Sequence, residues 1–205
     1  MFDQIERCLM LDEKPSIAIN RLTSEPGFQE YPYCVLLEQQ QTEQSPKHHP
    51  EGNVWNHTLL VVDEAAKRKQ HSRYPRALMW AALLHDIGKP ATTRLRKGRI
   101  TAYDHDKKGS QLAREFLSAV TQEKEFMETV TWLVRYHMQV LYVVKQLPFQ
   151  DIPGMRAYTD LHELALLCYC DRMGRLGAEE KEEQNEIALF LKRCGEHTLP
   201  SWLSE

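Results

Sequence analysis

The apolar run "ALMWAALL", residues 77–84, ends in two polar side chains, His85 and Asp86, and then stops at "GKP". In a helix, His85 shares a face with Ala81 and Ala82, so its imidazole points towards the core, with Asp86 at the adjoining edge. Imidazole nitrogens and carboxylate oxygens bind divalent metals such as Mn, Fe, Ni, Co and Zn. A helix that ends in this way indicates a metal site inside a helical bundle.

Three further helical patterns turn a histidine or an aspartate inwards. His57 is spaced with Val54 and Val61, and the same spacing rule places two more polar residues among apolar neighbours, His137 and Asp171. Burying several such groups without partners costs several kcal/mol, which a marginally stable domain does not tolerate. A divalent cation shared by four helices would satisfy all of them, as in other helical metal sites.

Each of these residues also has an ordinary structural interpretation. A single inward histidine is more often a hydrogen-bonded core residue than a ligand. Asp171 could simply cap a helix or pair with Arg172 or Arg175. Lys89, which follows the His85–Asp86 pair, could simply complement a helix dipole. The second His-Asp dipeptide, His105–Asp106, lies in a polar stretch that predicts a turn, and His49 is interpreted as a loop residue. The complete set is therefore more specific than any of its members.

The composition limits the functional classes. The chain has 205 residues with a net charge of −3, 42% hydrophobic and 27% charged residues, as in ordinary globular proteins. The charge balance predicts no extended surface for nucleic acids, so that any such contact would involve a short end or a terminal phosphate. We expect a cytoplasmic protein, because the sequence has no signal peptide and no apolar run near the roughly 20 residues that a membrane span needs.

Periodicity predicts helices along almost the whole chain, and hence an all-α fold. The predicted helices span residues 2–11, 16–24, 31–42, 54–70 with Asn53 as the N-cap, 75–86, 107–121, 123–138, 159–173 and 179–194. Residues 91–106 are rich in turn formers. The stretch "QVLYVV", residues 139–144, is compatible with a short strand or with an extension of the preceding helix.

His57, His85–Asp86 with Gly88–Lys89, and Asp171 resemble the H…HD…D signature of the HD superfamily of metal-dependent phosphohydrolases. Four segments resemble the HD region of bacterial CCA-adding enzymes and poly(A) polymerase-like proteins: "PEGNVWNHTLLVVDEAA", "ALLHDIGKPATT", "KGRITAYDHDKKGSQLAREFL" and "LALLCYCDRMGRLG". With a neck-like opening, "MLDEKPSIAINRL", the similarity runs from about residue 10 to residue 178. We expect the nucleotidyltransferase head of those enzymes to be absent, and with it CCA polymerisation.

The resemblance implies an HD-domain helical bundle, residues 46–205, with a short N-terminal helical extension, residues 1–45, packed on it. It also implies one or two divalent ions per chain, of Mn, Ni, Co, Fe, Mg or Zn. The ligands of the first ion would be His57, His85, Asp86 and Asp171. A second ion would use His105 and His137, with Asp86 as a bridge, although Asp104 replaces the glycine that usually precedes the family histidine.

The predicted function is hydrolysis of a phosphate ester of a nucleotide or small phosphodiester through a metal-activated water, in the manner of a 2′,3′-cyclic phosphodiesterase or a nucleotidase. Asp86 and Lys89 are the predicted catalytic residues, and Lys89 and Arg175 are expected to bind the substrate phosphate. The alternative is a non-catalytic regulatory module that binds a nucleotide or a metal. The sequence does not indicate an oligomeric state.

Overall fold

The computed structural model describes residues 1–203, which are helical apart from short connections and one hairpin, as the all-α prediction requires. The strands of the hairpin are β1 (Arg94–Arg96) and β2 (Arg99–Thr101). The helices are α1 (Phe2–Leu11), α2 (Pro15–Leu22), α3 (Cys34–Leu37), α4 (Val54–Arg68), α5 (Pro75–Leu84), α6 (Lys89–Thr92), α7 (His105–Ser118), α8 (Lys124–Tyr136), α9 (Gln139–Val144), α10 (Ile152–Tyr158), α11 (Leu161–Met173) and α12 (Glu180–Arg193).

Helix α5 lies at the centre of the bundle, where it packs against α1, α4, α8 and α11. Residues 77–84 are all buried, which explains why this helix is apolar on every side. His85 follows as the C-cap residue, so the polar C-terminal end of this central helix lies in the core. Within residues 1–203, no helix combines the length and the apolarity needed to cross a bilayer.

Helices α4 and α11, which both pack on α5, have well-formed N-terminal caps. The Asn53 side chain accepts a hydrogen bond from the Asn56 backbone N–H (2.9 Å) at the start of α4. Asp160 Oδ1 accepts one from the His162 backbone N–H (2.8 Å) at the start of α11. These caps satisfy donors that a helix leaves unpaired at its first turn, and they fix where the two helices begin.

The N-terminal helices pack on the main bundle, α1 on α5 and α2 on α4. The Phe2 ring stacks on Trp80 with ring centroids 4.8 Å apart. Trp55 donates a hydrogen bond from Nε1 to Asn20 Oδ1 (2.9 Å). The division into an extension and a main domain at residue 45 stays a prediction.

Three segments differ from the predicted elements. The helix predicted over residues 31–42 is reduced to α3 and a 3-10 turn, Glu38–Gln41, and Pro32 supplies no backbone N–H for a longer helix. Helix α10 was not predicted, because Pro153 and Gly154 are poor helix formers, but an Asp151 cap stabilises it. The turn-rich stretch 91–106 contains the hairpin, whose three-residue strands are too short to show a period. Residues 139–144 are helical, so the strand alternative is wrong.

Candidate metal centre

The first cluster of candidate ligands joins three helices of the bundle. His57 comes from α4, His85 from the end of α5 and Asp171 from α11, and ligand atoms of all three lie within 4.8 Å of one another. His57 Nε2 is 2.9 Å from Asp171 Oδ1. All three residues are buried. We call this cluster group one.

A second cluster lies beside it and consists of Asp86, His105 at the start of α7, and His137 at the end of α8. Asp86 Oδ1 is 3.5 Å from His105 Nε2 and 3.7 Å from His137 Nε2. We call this cluster group two. The two groups adjoin, because Asp86 Oδ2 is 3.2 Å from His85 Nε2. The six residues predicted as ligands of one or two metals are thus brought together.

The histidines present their Nε2 atoms to the centre in the form that binds a metal. Nδ1 of His85, His105 and His137 lies 2.7–2.8 Å from the backbone oxygen of the residue three positions earlier. A carbonyl oxygen only accepts, so Nδ1 carries the proton and a neutral ring has a lone pair on Nε2. His105 Nε2 and His137 Nε2 face each other at 3.1 Å. Two facing lone pairs repel, and a cation between them would remove that repulsion.

The surroundings of the Asp86 carboxylate indicate whether a divalent cation fits this centre. The residue is buried, and neither of its oxygens accepts a hydrogen bond of normal geometry from the described residues. His85 Nε2 is equally without a hydrogen-bond partner there. Asp86 Oδ2 has the ion pair with Lys89 Nζ (2.6 Å), whereas Asp86 Oδ1 and His85 Nε2 have no hydrogen bond within residues 1–203. Buried polar atoms without hydrogen bonds are rare because each costs free energy, and a cation would pair with these atoms. The nitrogen and oxygen donors suit a divalent metal.

Electrostatics keeps the acidic ligands charged. Burial would raise the pKa of Asp86, but the neighbouring His85 and Lys89 outweigh that effect and hold it well below its usual range. Burial likewise opposes ionisation of Asp171, yet Arg175 and His57 hold its pKa well below the usual value. Both carboxylates are therefore anions at neutral pH, as metal binding requires.

The imidazoles of the two groups are not equivalent. Burial lowers the pKa of His137 to about 4, and the adjacent His105 and His85 add to that effect. Burial also lowers the pKa of His105. In group one, burial would lower the pKa of His85, but the carboxylates of Asp86 and Asp171 raise it overall. The histidines of group two are thus kept neutral, while His85 is drawn towards its charged form.

The two predicted phosphate-binding residues lie on either side of the ligands. Lys89 Nζ is 2.6 Å from Asp86 Oδ2 and donates a hydrogen bond to Gln44 Oε1 (2.6 Å). Arg175 Nη2 is 3.5 Å from Asp171 Oδ1. About a third of the Arg175 side chain (31%) is exposed, so it can still reach a bound anion.

Glu51 is a member of the site that sequence reasoning missed. Its Oε1 lies 2.9 Å from Nδ1 of both His49 and His57, and only 2% of its side chain is exposed. His49 lies in a loop, as predicted, and its ring packs edge-on against His57 with centroids 4.7 Å apart. Burial would raise the pKa of Glu51, but contact with His57 lowers it to about 2. A carboxylate behind a ligand histidine orients the ring and makes its other nitrogen more basic.

The second His-Asp dipeptide was wrongly expected in a polar turn. His105 and Asp106 are both buried in the first turn of α7. Asp106 Oδ2 accepts a hydrogen bond from Arg135 Nη1 (2.7 Å), which ties α7 to α8. His105 therefore reaches the centre from a rigid helix that is fixed to its neighbour.

Comparison with known proteins gives a consistent result. The family model described as "HD domain" matches residues 54–175, more than half of the chain. The matched range contains the six candidate ligands of groups one and two, together with Lys89 and Arg175.

Relatives named "Multifunctional CCA protein" also match. That of Actinobacillus pleuropneumoniae serotype 5b is 35% identical over 156 residues, which is 71% of this chain and 36% of the relative. That of Alkalilimnicola ehrlichii is 29% identical over 142 residues, 65% of this chain and 32% of the relative. That of Pseudomonas fluorescens SBW25 is 28% identical over 146 residues, with shares of 67% and 34%. The chain spans about a third of the length of these relatives, and the resemblance to the HD region of CCA-adding enzymes is confirmed.

Proposed function

Because the chain belongs to the HD domain family, whose members are generally metal-dependent hydrolases, we propose that it hydrolyses phosphate esters of nucleotides or small phosphodiesters. The observation that carries this proposal is the position of Asp86. Its buried carboxylate lies between the histidines of both groups and forms an ion pair with the Lys89 ammonium, 2.6 Å from Oδ2. Metal ligands and a phosphate-binding cation are therefore adjacent.

In the proposed reaction, some residues of the site would hold the metal ions and others bind the substrate phosphate. His57, His85 and Asp171 would hold one ion, and Asp86, His105 and His137 a second, with Asp86 close enough to His85 to serve both. A divalent ion bound there would activate water and neutralise charge on the phosphoryl oxygens. The Lys89 and Arg175 side chains bind the non-reacting phosphate oxygens, which orients the ester and offsets the negative charge of the transition state.

The outer residues of the site hold its ligands in place. The Glu51 carboxylate, 2.9 Å from His57 Nδ1, would accept a hydrogen bond from the Nδ1–H when Nε2 serves as a ligand, which fixes the tautomer of that ring. The backbone carbonyls behind His85, His105 and His137 do the same for the other three rings. A site whose ligands are already oriented loses little free energy when the ion and the substrate bind.

The test is hydrolysis of 2′,3′-cyclic AMP and of bis-p-nitrophenyl phosphate by metal-stripped protein resupplied with Mn, Ni, Co, Mg or Zn. We expect turnover with at least one metal, and a loss of about 10³-fold in Asp86→Asn, since the ion supplies several kcal/mol of transition-state stabilisation. Asp3→Asn, an exposed aspartate on α1, is the matched control and should retain full activity.

Two outcomes would reject the proposal. If metal binds in stoichiometric amounts but no ester is cleaved by the wild type, the chain is a metal- or nucleotide-binding regulatory module. If Asp86→Asn cleaves the esters as well as Asp3→Asn does, the chemistry does not depend on this centre.

A further inference from the structure

The hairpin β1–β2 begins and ends at the candidate metal centre. It follows α6, which starts at Lys89, and it leads into His105 at the start of α7. The Thr93 backbone N–H donates a hydrogen bond to Lys89 O (2.8 Å), and His105 donates one from Nδ1 to Ala102 O (2.7 Å). Both roots of the hairpin are therefore tied to residues that lie within 4 Å of Asp86.

The roots are also held close to each other. A Cβ added at Gly88 would lie 2.2 Å from His105 O and 2.5 Å from Gly109 N. The backbone before α6 thus crosses that of α7 at a distance only glycine permits. A ligand bound along the hairpin would extend away from the centre.

One face of the hairpin is strongly cationic. Cross-strand pairs join Arg94 to Thr101, Leu95 to Ile100, and Arg96 to Arg99. Side chains alternate between the faces of a strand, so three arginines share one face, Arg94, Arg96 and Arg99. Lys97 is at the tip, where positive φ angles at Lys97 and Gly98 form a tight two-residue turn.

These cations have no anionic partner within the part of the chain that the structure describes. The three arginines and Lys97 are exposed and form no ion pair there, although buried or half-buried arginines elsewhere, such as Arg135 and Arg172, contact carboxylates. Arg96 and Arg99 even occupy directly opposed positions, where like charges destabilise a hairpin. This cluster stands out in a chain whose net charge is −3. A bound polyanion would relieve the repulsion.

An aromatic ring completes the surface. The Arg96 guanidinium lies over the Tyr103 ring, 5.2 Å from its centroid, and Tyr103 is 61% exposed. Cations that follow a backbone together with exposed rings for base stacking are typical of surfaces that bind single-stranded nucleic acid. One phosphate bound between Lys89 and Arg175 would leave the hairpin arginines unused.

We infer that the hairpin binds the phosphodiester backbone of a single-stranded oligonucleotide whose terminal phosphate ester lies at the metal centre. This inference rests on the proposed function and narrows its substrate class. The arginine face holds phosphates upstream of the reacting one, and Tyr103 stacks on a base.

The test measures binding of a fluorescent six-nucleotide single-stranded RNA with a 3′-phosphate, in chelator, so that turnover does not interfere. The variant Arg94→Gln/Arg96→Gln/Arg99→Gln removes the cationic face. The matched control, Arg7→Gln/Lys14→Gln/Arg21→Gln, removes three exposed cations from the N-terminal segment. Each phosphate contact contributes about 0.7 to the slope of log affinity against log salt concentration, so the hairpin variant should lower that slope by about 2 and the control should not.

Tyr103 is tested separately. Tyr103→Ala should weaken binding about tenfold through lost stacking, while Tyr103→Phe should restore it. Inorganic tripolyphosphate serves as the competing ligand. If it displaces the oligonucleotide with equal potency per phosphate and Tyr103→Ala has no effect, the surface binds polyphosphate and the assignment to nucleic acid is wrong.

The inference and the proposed function fail in different ways. If the wild type cleaves mononucleotide esters but binds the oligonucleotide with the same affinity and salt slope as the hairpin variant, only the inference is overturned. If no ester is cleaved but the hairpin variant loses binding, the hairpin still binds nucleic acid and the hydrolase proposal fails.

Discussion

Two of the three candidate ligands of group one, His57 and Asp171, are held by charged side chains, whereas both histidines of group two are held by backbone carbonyls, as is His85 of group one. In group one, Glu51 lies behind His57 and Arg175 lies beside Asp171. In group two, His105 and His137 each donate from Nδ1 to a carbonyl oxygen three residues earlier. His57 and Asp171 in group one are thus supported by charges that substitution can remove one at a time, and the histidines of group two by the backbone.

The same contrast appears in the charge state. Group one contains an imidazole whose pKa is raised by carboxylates, His85, while both imidazoles of group two have lowered pKa values. The two groups should therefore respond differently to three kinds of substitution: one that removes a ligand, one that removes a supporting charge and one that moves the backbone.

The largest loss of bound metal and of activity is expected when one candidate ligand of either group is removed. His57→Gln should empty group one and His137→Gln should empty group two, each lowering metal content from two ions per chain to one. Activity should fall by at least about a hundredfold in both, the loss typical when one charge-stabilising group is removed from a transition state. Metal analysis and steady-state kinetics give the result.

The control for these variants is His162→Gln, which changes a histidine on α11 outside both groups. It should retain two ions and full activity. If His137→Gln kept two ions, His137 would not be a ligand, and its Nε2 would share a proton with His105 Nε2 instead.

Substitution of Glu51 should have a smaller effect on metal binding, and one that is confined to group one. Glu51→Gln keeps an acceptor for the His57 Nδ1 proton but removes the negative charge that strengthens Nε2 as a ligand. We expect the affinity of group one for metal to fall about ten- to a hundredfold, with group two unchanged. Titration of metal-stripped protein against a chromophoric chelator resolves the two affinities.

Glu38→Gln, an exposed glutamate in the 3-10 turn before α4, is the matched control for Glu51. Equal losses in both groups would show that Glu51 supports the fold of the loop rather than one ligand. No loss in either group would leave its contacts with His49 and His57 without a role in metal binding.

The sequence predicted the features that depend on helical periodicity, which are the bounds of several helices and the inward placement of the candidate ligands. The long helices α1, α8 and α12 agree with their predicted bounds to within two residues, because their apolar faces recur every three to four positions. The inward placement of His57, His137 and Asp171 follows from the same rule, and all three are buried.

The supporting residues could not be found in that way. Glu51 lies in a polar loop without any period, and its burial depends on α4 and on a segment 125 residues away, where the Leu176 backbone N–H donates to Glu51 Oε2 (3.4 Å). The only local signal is a carboxylate placed just before the Asn53 cap. His105 was missed as a buried helix residue because a left-handed Asp104 precedes it and ends the periodic pattern.

The backbone support of group two can be tested at Gly88. A methyl group at this position would lie 2.2 Å from His105 O, and neither backbone can yield without moving His105. Overpacking of this kind costs about 1–3 kcal/mol, so Gly88→Ala should lower the free energy of unfolding of metal-stripped protein by that amount in urea titrations. It should also weaken metal binding at group two.

Gly109→Ala is the matched control on the opposite side of the same crossing. Its added methyl would meet Val134 Cγ1 at 3.4 Å and His85 O at 3.5 Å, which are ordinary contacts, and alanine is favoured over glycine within a helix. We expect its unfolding free energy to stay within about 1 kcal/mol of the wild type.

If both variants were equally stable, the backbones at Gly88 and α7 would have room to move apart, and group two would need a support other than the backbone. If Gly88→Ala lost metal at group one instead, the shift would pass through His85 rather than His105, and the separation between the two groups would not hold.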